Sequence, residues 1–300
     1  MPQNNSLKFH ALALLVAFIW GSTFVVSKML LNAGLTPALI MCLRFTIAYL
    51  VMLPFCHRHI LARSWRDELL FLFIGLAGGS LYFLAENSSI KLASSSSTPA
   101  LIITATPILT ALLMRVIYPT EKLSARFIIG SLIALLGVAF VIFNGVFILD
   151  DNPLVGILAL SASLAWAFYG FLLRKLENRY STAIITRKVF FYGVLTMLPV
   201  CFFEGSLPLL STLIPQPSTL IPLLYLALIA SLACYQLWNI TCKYLGVVRA
   251  SNYLYFQPVT SLLAGFVLLS ERVTVLAILG CFLVIYGVYL ATAKRKKNNS

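Results

Sequence analysis

The sequence is poor in charged residues. Only 10% of its 300 residues are Asp, Glu, Lys or Arg, against roughly 25% in soluble proteins. Acidic residues are the scarcer kind, nine against 22 basic ones. Since 60% of the chain is hydrophobic and its mean hydropathy is +0.95, too few polar groups remain to cover a water-facing surface. The composition excludes an ordinary soluble domain and predicts a protein of the lipid bilayer.

Residues that bind metals are also scarce. All the aspartates and histidines lie at or beyond the predicted membrane edges: Asp67, Asp150, Asp151, His10, His57 and His59. The six cysteines are scattered without metal-binding spacing and fit the role of small buried hydrophobic residues. No cluster inside the membrane could hold a catalytic metal. We therefore expect no metal, no cofactor and no enzymatic activity, with an intramembrane enzyme kept as an alternative.

Signatures of a channel are missing from the sequence as well. It has no ring of like charges and no glycine repeat of the kind that forms an ion-selective filter. A membrane channel remains the second alternative, because a flux measurement is needed to separate it from a carrier.

Ten stretches are long and apolar enough to cross a bilayer. A spanning helix needs about 20 mostly apolar residues, whereas a barrel strand would show about ten residues of alternating polarity. Residues 127–141 are apolar on every face, so helices are predicted. The ten spans, numbered in chain order, are residues 9–31, 37–56, 69–88, 98–118, 125–143, 154–173, 184–203, 219–238, 248–269 and 273–293.

The basic residues predict the orientation of these spans. With both termini in the cytoplasm, 18 of the 22 Lys and Arg residues face the cytoplasm, and only Lys28, Lys91 and Arg272 face the other side. Arg44 stays within the membrane. This bias follows the positive-inside rule. The net charge of +13 is thus explained by topology, and we expect no nucleic-acid partner.

The chain repeats itself at an offset of about 150 residues. Residues 38–54 match residues 183–199 at seven of 17 positions, including the run Met-Leu-Pro. Matches at offsets of 146 to 152 follow in the same order, among them Trp20 with Trp166. Because each half has five spans, the second half enters the membrane from the opposite side. We predict two inverted five-helix repeats, residues 1–146 and 147–300, with a substrate site near the midplane where they meet.

Two ionisable residues lie deep within spans. Arg44 is in the middle of span 2, and Glu86 is late in span 3 beside Asn87. A charge in the membrane is costly unless it is paired or hydrated. Arg44 and Glu86 could form a structural ion pair, which we favour slightly for Arg44. A carboxyl group in a low-dielectric surrounding suits proton loading or binding of an amine, so for Glu86 we favour a functional role.

Aromatic and amide residues complete the candidate site. Tyr82 lies one helical turn from Glu86, and Tyr235 lies one turn from Asn239, so each pair shares a helix face. Most aromatic residues of such a chain serve packing or an interfacial belt. The predicted cavity residues are Glu86, Asn87, Tyr82, Arg44, Trp20, Trp166, Tyr235 and Asn239.

Prolines and glutamates mark special helix positions. Pro107 and Pro258 lie inside spans 4 and 9, where proline kinks a helix and frees a carbonyl group. Glu121 and Glu271 precede spans 5 and 10, where an acidic side chain stabilises a helix start. We expect the prolines to be kinks and the glutamates to be caps.

Four glycines indicate a close helix contact. Gly130 and Gly137 in span 5, and Gly280 and Gly287 in span 10, are each seven residues apart on one helix face. Small residues at such spacing allow two helices to approach closely. The contact could lie within the fold or at the surface of a homodimer.

Together these motifs resemble the EamA-type transporters of the drug/metabolite transporter superfamily. The likeness covers essentially the whole chain and depends on the order and spacing of individually weak motifs. They are residues 20–24 (Trp-Gly-Ser-Thr-Phe), 43–45 (Leu-Arg-Phe), Pro107, 121–123 (Glu-Lys-Leu), Gly130, Gly137, Pro258, 271–273 (Glu-Arg-Val), Gly280 and Gly287.

The resemblance implies a fold and a function. It implies ten helices in two inverted repeats, with a central cavity lined mainly by helices 1, 3, 4, 6, 8 and 9. It also implies a multi-pass protein of the bacterial inner membrane that exports a small molecule, commonly an amino acid, a nucleoside or another metabolite. Glu86 and Asn87 are outside the general family pattern, so the resemblance gives them no role. We expect alternating access, with proton coupling as an open option.

Overall fold

The computed structural model describes residues 3–56, 61–93, 97–119, 124–143, 152–212, 215–269 and 274–292. Within these ranges the regular structure is helical and contains no strand. Eight helices are long and apolar enough to cross a membrane, and a shorter apolar helix, Ala125–Val141, accompanies them. The prediction of an all-α polytopic membrane protein is confirmed. Glu121 and Glu271, the predicted caps, lie outside the described residues.

Ten helical segments of the described chain lie at the ten predicted spans. The first five are α1 (Leu7–Asn32), α2 (Pro37–Phe55), α3 (Trp65–Leu92), α4 (Pro99–Ile117) and α5 (Ala125–Phe143). The second five are α6 (Pro153–Leu176), α7 (Thr182–Phe203), α8 (Pro217–Leu245), α9 (residues 247–269) and α10 (Val275–Thr292). A single helical turn, Leu209–Thr212, lies between α7 and α8.

Local sequence explains where several helices begin. At the start of α2, the hydroxyl of Thr36 accepts a hydrogen bond from the backbone N–H of Leu39 at 3.2 Å, and Pro37 follows the cap. At the start of α6, the amide oxygen of Asn152 accepts one from the N–H of Leu154 at 3.0 Å, and proline again follows. A polar cap before a first-turn proline satisfies N–H groups that the helix itself leaves unpaired.

Two helices change their winding near the middle of their length. In α3 the residues Leu76–Leu81 form a π-helical segment, and in α8 the residues Tyr225–Ala233 form another. The two segments end at residues 152 positions apart, the offset that relates Asn87 to Asn239 in sequence. Wide π turns leave backbone carbonyls outside the regular α-helical pattern and are frequent at functional sites.

Both predicted proline sites interrupt their helices. Helix α4 consists of two pieces, Ser97–Ile103 and Thr106–Ile117, and Pro107 is in the first turn of the second piece. Helix α9 changes from a 3₁₀ segment, Asn252–Phe256, to the α-helical Gln257–Leu269, with Pro258 in the first turn of the latter. Instead of the predicted internal kink, each helix is interrupted just before its proline. Proline has no N–H to donate, and its ring clashes with the carbonyl group of the preceding turn.

The four glycines bring α5 and α10 into backbone contact. A Cβ atom on Gly137 would lie 2.7 Å from the carbonyl oxygen of Gly280, and one on Gly130 would lie 2.6 Å from that of Gly287. No side chain fits at these distances, so glycine is required at the crossing. The contact lies within one chain, and the suggestion that these glycines form a homodimer surface is wrong.

A polar network ties the predicted cytoplasmic end of α3 to α7. Glu68 accepts hydrogen bonds from Lys188 and Tyr192, and also from the backbone N–H of Ala62 at 2.6 Å. Lys188, counted above among the topology-setting residues, is only 3% exposed. Its charge is buried beside the Glu68 carboxylate, so it holds α3 and α7 together.

A second ion pair extends this network. Asp67 accepts hydrogen bonds from Arg179 and, at 2.7 Å, from the hydroxyl of Tyr180. Burial, together with the bond to Asp67, raises the pKa of Tyr180 above its ordinary value, so Tyr180 remains a neutral donor. The loop after α6 is thereby joined to the first turn of α3.

Candidate functional site

A small, partly open cavity lies inside the helix bundle. Its walls come from α1, α2, α3, α4, α6, α8 and α9, which are the six helices named by the resemblance and, in addition, α2. None of the lining residues is more than 8% exposed, so the walls of the cavity are buried within the bundle. The lining residues are Trp20, Thr23, Arg44, Tyr82, Phe83, Glu86, Ile103, Thr106, Trp166, Tyr235, Leu254 and Gln257.

Many of the lining residues come in pairs, one from each half of the chain. The members of a pair are separated by the offsets of 146 to 152 that relate the two halves in sequence. These pairs are Trp20 with Trp166, Phe83 with Tyr235, Ile103 with Leu254, and Thr106 with Gln257. The aromatic and polar wall is thus shared between the halves, as expected of a site on their common boundary.

The charges of the cavity do not follow this pairing. Arg44 and Glu86 both come from the first half, and the residues at the corresponding positions of the second half are Val189 and Trp238. The cavity therefore has a roughly symmetric wall with a cation and an anion placed on one half only. Such an arrangement gives a bound molecule a defined orientation.

Arg44 presents an unused donor to the cavity. Its Nε donates a hydrogen bond to the hydroxyl of Ser231 at 2.8 Å, and its guanidinium carbon lies 4.3 Å from the centroid of the Phe83 ring. The Nη1 atom is buried and has no hydrogen-bond partner. A buried, unpaired N–H of a cation is costly, and guanidinium groups bind carboxylates strongly. Arg44 can therefore hold an anionic group.

Glu86 is held by the tyrosine one turn before it. The hydroxyl of Tyr82 donates a hydrogen bond to Oε1 of Glu86 at 2.8 Å, and both side chains are buried. The predicted common face of these two residues is thus observed. Among the described residues no ion pair joins Glu86 to Arg44 within 4.0 Å. The structural ion pair considered for Arg44 is not formed.

Asn87 and Asn239 do not line the cavity, which corrects their place in the predicted site. Asn87 is completely buried, and neither atom of its amide has a hydrogen-bond partner. It directly follows Glu86, and successive residues of a helix point about 100° apart. Asn239 accepts a hydrogen bond from the Tyr169 hydroxyl at 2.5 Å and donates one to Thr186 at 2.9 Å. Asn239 therefore joins α8 to α6 and α7.

The three predicted aromatic residues on α1, α6 and α8 meet at the cavity. The rings of Trp20 and Trp166 are 5.2 Å apart in an edge-to-face arrangement, and that of Tyr235 is 5.8 Å from Trp20 and 5.7 Å from Trp166. Trp20 donates its indole N–H to the carbonyl of Ala230 at 2.8 Å, and Tyr235 donates its hydroxyl to the carbonyl of Gly78 at 2.5 Å. These bonds fix two of the aromatic rings against the π-helical segments.

Sequence reasoning missed half of the lining residues. Thr23, Phe83, Ile103 and Leu254 carry no charge and look like ordinary membrane residues. Thr106 and Gln257 had a usable signal, because each is the polar residue directly before the helix-breaking Pro107 or Pro258. The break exposes the end of a new helix to the cavity, and a polar residue is tolerated there.

The proline break also leaves a carbonyl near the cavity that side chains satisfy. The carbonyl of Ile103, which Pro107 cannot bond, accepts a hydrogen bond from the hydroxyl of Thr106 at 2.6 Å and another from Ser163 at 3.2 Å. Within the described ranges no three His, Cys, Asp or Glu side chains lie together as metal ligands. The chemistry available in the cavity is that of ionic contacts, hydrogen bonds and aromatic surfaces.

A bundle of membrane-spanning helices around an inner cavity that holds a guanidinium and a carboxyl group is the architecture of a membrane transport protein. The comparison with known families agrees with this class. The chain belongs to the EamA-like transporter family, whose model matches residues 7–143 and again residues 154–293.

Similar proteins extend over nearly the whole chain. An uncharacterized transporter of Archaeoglobus fulgidus is 28% identical and covers 96% of this chain and 99% of its own length. Probable amino-acid metabolite efflux pumps of Escherichia coli and Salmonella typhimurium are 25% and 27% identical, and each alignment covers 95% of both chains. A solved crystal structure shares the fold with a TM-score of 0.72 at 19% identity, covering 95% of this chain and 97% of the other.

Proposed function

We propose that this protein is a secondary transporter that exports a small metabolite across the bacterial inner membrane by alternating access. The observation that carries the proposal is the cavity, in which a guanidinium and a carboxyl group that do not pair with each other are buried inside the bundle. Charges inside a membrane are costly and mark substrate or ion pathways. Because the residues that line the site are buried, side chains and helices must move before a bound molecule can leave on either side.

The substrate class that fits the two charges best is an amino acid. The free Nη1 of Arg44 would hold the substrate carboxylate, and Glu86 would hold its ammonium group. The Trp20, Trp166 and Tyr235 rings would contact the side chain. Relatives named as probable amino-acid metabolite efflux pumps support this choice. A nucleoside or an amphipathic cation would use only part of this arrangement.

Proton exchange is the coupling that we propose for the transport cycle. An ionised Glu86 without a partner would be a costly buried charge. When the substrate ammonium group leaves, a proton can neutralise the carboxylate in its place. Loading of the proton on one side and of the substrate on the other would couple the two fluxes. In this scheme Tyr82, which already bonds Glu86, keeps the carboxyl oriented in both conditions.

We propose for the same reasons that the two halves, 1–146 and 147–300, are inverted repeats and that both termini are cytoplasmic. The paired lining residues, the π-helical segments that end 152 positions apart and the Gly137–Gly280 contact support the repeat. The excess of basic residues on one face supports the orientation. A small-molecule substrate and the surrounding lipid are the partners that this function requires.

A counterflow screen in proteoliposomes tests the proposed function. The purified protein is loaded with one unlabelled compound, and uptake of the labelled compound is measured for amino acids, nucleosides and amphipathic cations. We expect saturable counterflow with amino acids and none with liposomes that lack protein. Conductance without saturation would favour a channel instead, and chemical conversion of a compound would favour an intramembrane enzyme. No exchange of any compound would contradict the carrier.

A further inference from the structure

Two backbone carbonyls at the centre of the bundle occupy corresponding places in the two halves. Gly78 lies in the π-helical segment of α3 and Ala230 in that of α8, and they are 152 residues apart. Each lies close to the middle of its helix. Each accepts a hydrogen bond from an aromatic side chain of the cavity. The two carbonyls are thus equivalent acceptors facing the same site.

The donors to these carbonyls are not equivalent. Trp20 of the first half bonds Ala230, so the corresponding donor to Gly78 would be Trp166. Gly78 instead accepts the hydroxyl of Tyr235, and the indole N–H of Trp166 has no acceptor among the described residues. The symmetry of the two halves is therefore broken at this one set of hydrogen bonds.

Trp166 is close to the residue that bonds the Gly78 carbonyl. Its ring is 5.7 Å from that of Tyr235, the residue that bonds Gly78. One turn further along α6, Tyr169 packs directly on Gly78, since a Cβ atom there would lie 2.2 Å from its ring. The ring of Trp166 is also 4.8 Å from that of Tyr169, so Trp166 packs beside both residues that contact Gly78.

In a carrier made of inverted repeats, the two end states can arise when the halves exchange conformations around a fixed site. Resting on the transport function proposed above, we propose that Trp20 and Trp166 are alternating positioning residues. Trp20 holds the Ala230 carbonyl in the present orientation of the carrier. Trp166 holds the Gly78 carbonyl in the opposite orientation, after Trp20 has released Ala230.

The two orientations then differ in their number of hydrogen bonds. In the present one both carbonyls are bonded, by Trp20 and Tyr235. In the opposite one Trp166 bonds Gly78, but the residue that corresponds to Tyr235 is Phe83, which has no hydroxyl to offer Ala230. The present orientation is therefore the resting state of the empty carrier.

Distances across the two faces of the membrane test this exchange. In a variant whose six native cysteines are replaced, spin labels at positions 66 and 243 report the predicted cytoplasmic face, and labels at 91 and 218 report the other face. These four positions are exposed, and the second pair corresponds to the first at the offset of 152. Electron-electron distance measurements in nanodiscs then give the populations of the two orientations without any substrate.

Opposite shifts are expected from the two tryptophan variants. Trp20→Phe removes a bond of the present orientation and should move the population ratio roughly fivefold toward the opposite one. Tyr235→Phe should act in the same direction. Trp166→Phe removes a bond of the opposite orientation and should move the ratio in the other direction by a similar factor. Trp238→Phe is the control, because its ring packs in the same cluster but donates to neither carbonyl, and it should leave the ratio unchanged.

Shifts of Trp20→Phe and Trp166→Phe in the same direction, or no shift in either, would overturn the proposal. The result is independent of the substrate screen. Opposite shifts in a protein that exchanges no compound would uphold the tryptophan exchange and contradict the transport function. Counterflow in a protein whose tryptophan variants leave the populations of the two orientations unchanged would support the transport function and contradict the tryptophan exchange. Melting temperatures of the four variants show whether a shift reflects loss of folding, which would also affect Trp238→Phe.

Discussion

Arg44 and Glu86 line the same cavity, yet among the described residues no nitrogen of Arg44 lies within 4.0 Å of an oxygen of Glu86. Each is instead held by a neutral partner, Ser231 for Arg44 and Tyr82 for Glu86. A direct ion pair would neutralise both groups and leave little for a ligand. Their separation leaves the guanidinium and the carboxyl group available to a ligand at once, as the proposed binding of an amino acid requires.

The first prediction concerns Arg44. Arg44→Met should abolish amino-acid counterflow, because the carboxylate loses its cation. The melting temperature in detergent should be unchanged or higher, since replacing a buried charge that lacks an ionic partner by an apolar side chain is often neutral or stabilising. Arg44→Lys should retain weak transport with a raised KM, because an ammonium group lacks the fork of donors.

Ser231→Ala is the control for Arg44. It removes the acceptor of Nε but leaves the free Nη1 in place, so transport should persist with a modest loss of stability. A structural role of Arg44 would show itself differently. In that event Arg44→Met would lower the melting temperature markedly, and transport would fall only with the amount of folded protein.

The second prediction concerns Glu86. Glu86→Gln keeps the shape of the side chain and an oxygen that can accept the Tyr82 hydroxyl, so the protein should fold normally. Counterflow of a zwitterionic substrate should fall by at least about tenfold, the loss expected for one charge-assisted hydrogen bond. The dependence of the remaining rate on pH should flatten between pH 5 and pH 9. Rates are measured in proteoliposomes buffered equally on both sides.

Glu177→Gln is the matched control for Glu86→Gln. Glu177 is a partly buried carboxylate at the end of α6 and does not line the cavity, so its neutralisation should leave the pH profile unchanged. A wild-type rate and pH profile for Glu86→Gln would exclude Glu86 from both substrate binding and proton coupling.

The third prediction concerns the ion pair between Glu68 and Lys188. Glu68→Ala leaves Lys188, whose side chain is 4% exposed, as a buried unpaired charge, and should destabilise the protein by about 3–5 kcal/mol. The double variant Glu68→Leu with Lys188→Met should recover most of this loss. Unfolding free energies in detergent and denaturant of Glu68→Leu, Lys188→Met and the double variant give the coupling of the two side chains. Additive losses in the double variant would show that the pair has no specific contribution.

The fourth prediction concerns the crossing of α5 and α10. Gly137→Ala places a Cβ atom 2.7 Å from the backbone oxygen of Gly280, so the helices must separate, at a cost of about 1–3 kcal/mol. Gly156→Ala is the control in α6, because its nearest neighbouring atom would be 3.7 Å away and alanine favours a helix by up to about 1 kcal/mol. Melting temperatures should therefore fall for Gly137→Ala and hold or rise for Gly156→Ala.

Sequence reasoning predicted features that depend on hydrophobicity and helical spacing. Runs of apolar residues located all ten spans, and the four-residue spacing of Tyr82 and Glu86 predicted their shared face. It failed where the direction of a side chain around the helix axis decides whether the residue lines the cavity. Asn87 is adjacent to Glu86 but does not line the cavity. It also could not identify the helix that packs against the glycines of α5. Their spacing predicts a close helix contact but does not show whether the partner helix belongs to the same chain or to a second copy. Gln257 was missed because the search for site residues gave more weight to charged side chains within the spans than to a single uncharged amide.

The burial of every residue that lines the cavity limits the rate at which molecules can pass through the protein. No molecule can pass until side chains and helices have moved, and collective motions of this kind take microseconds to milliseconds. A passage that waits for such a motion at each turnover transfers at most about 10³–10⁶ molecules per second. Under the proposed carrier mechanism, the protein therefore moves one molecule at each conformational cycle, and its contribution to flux depends on how many copies the membrane holds.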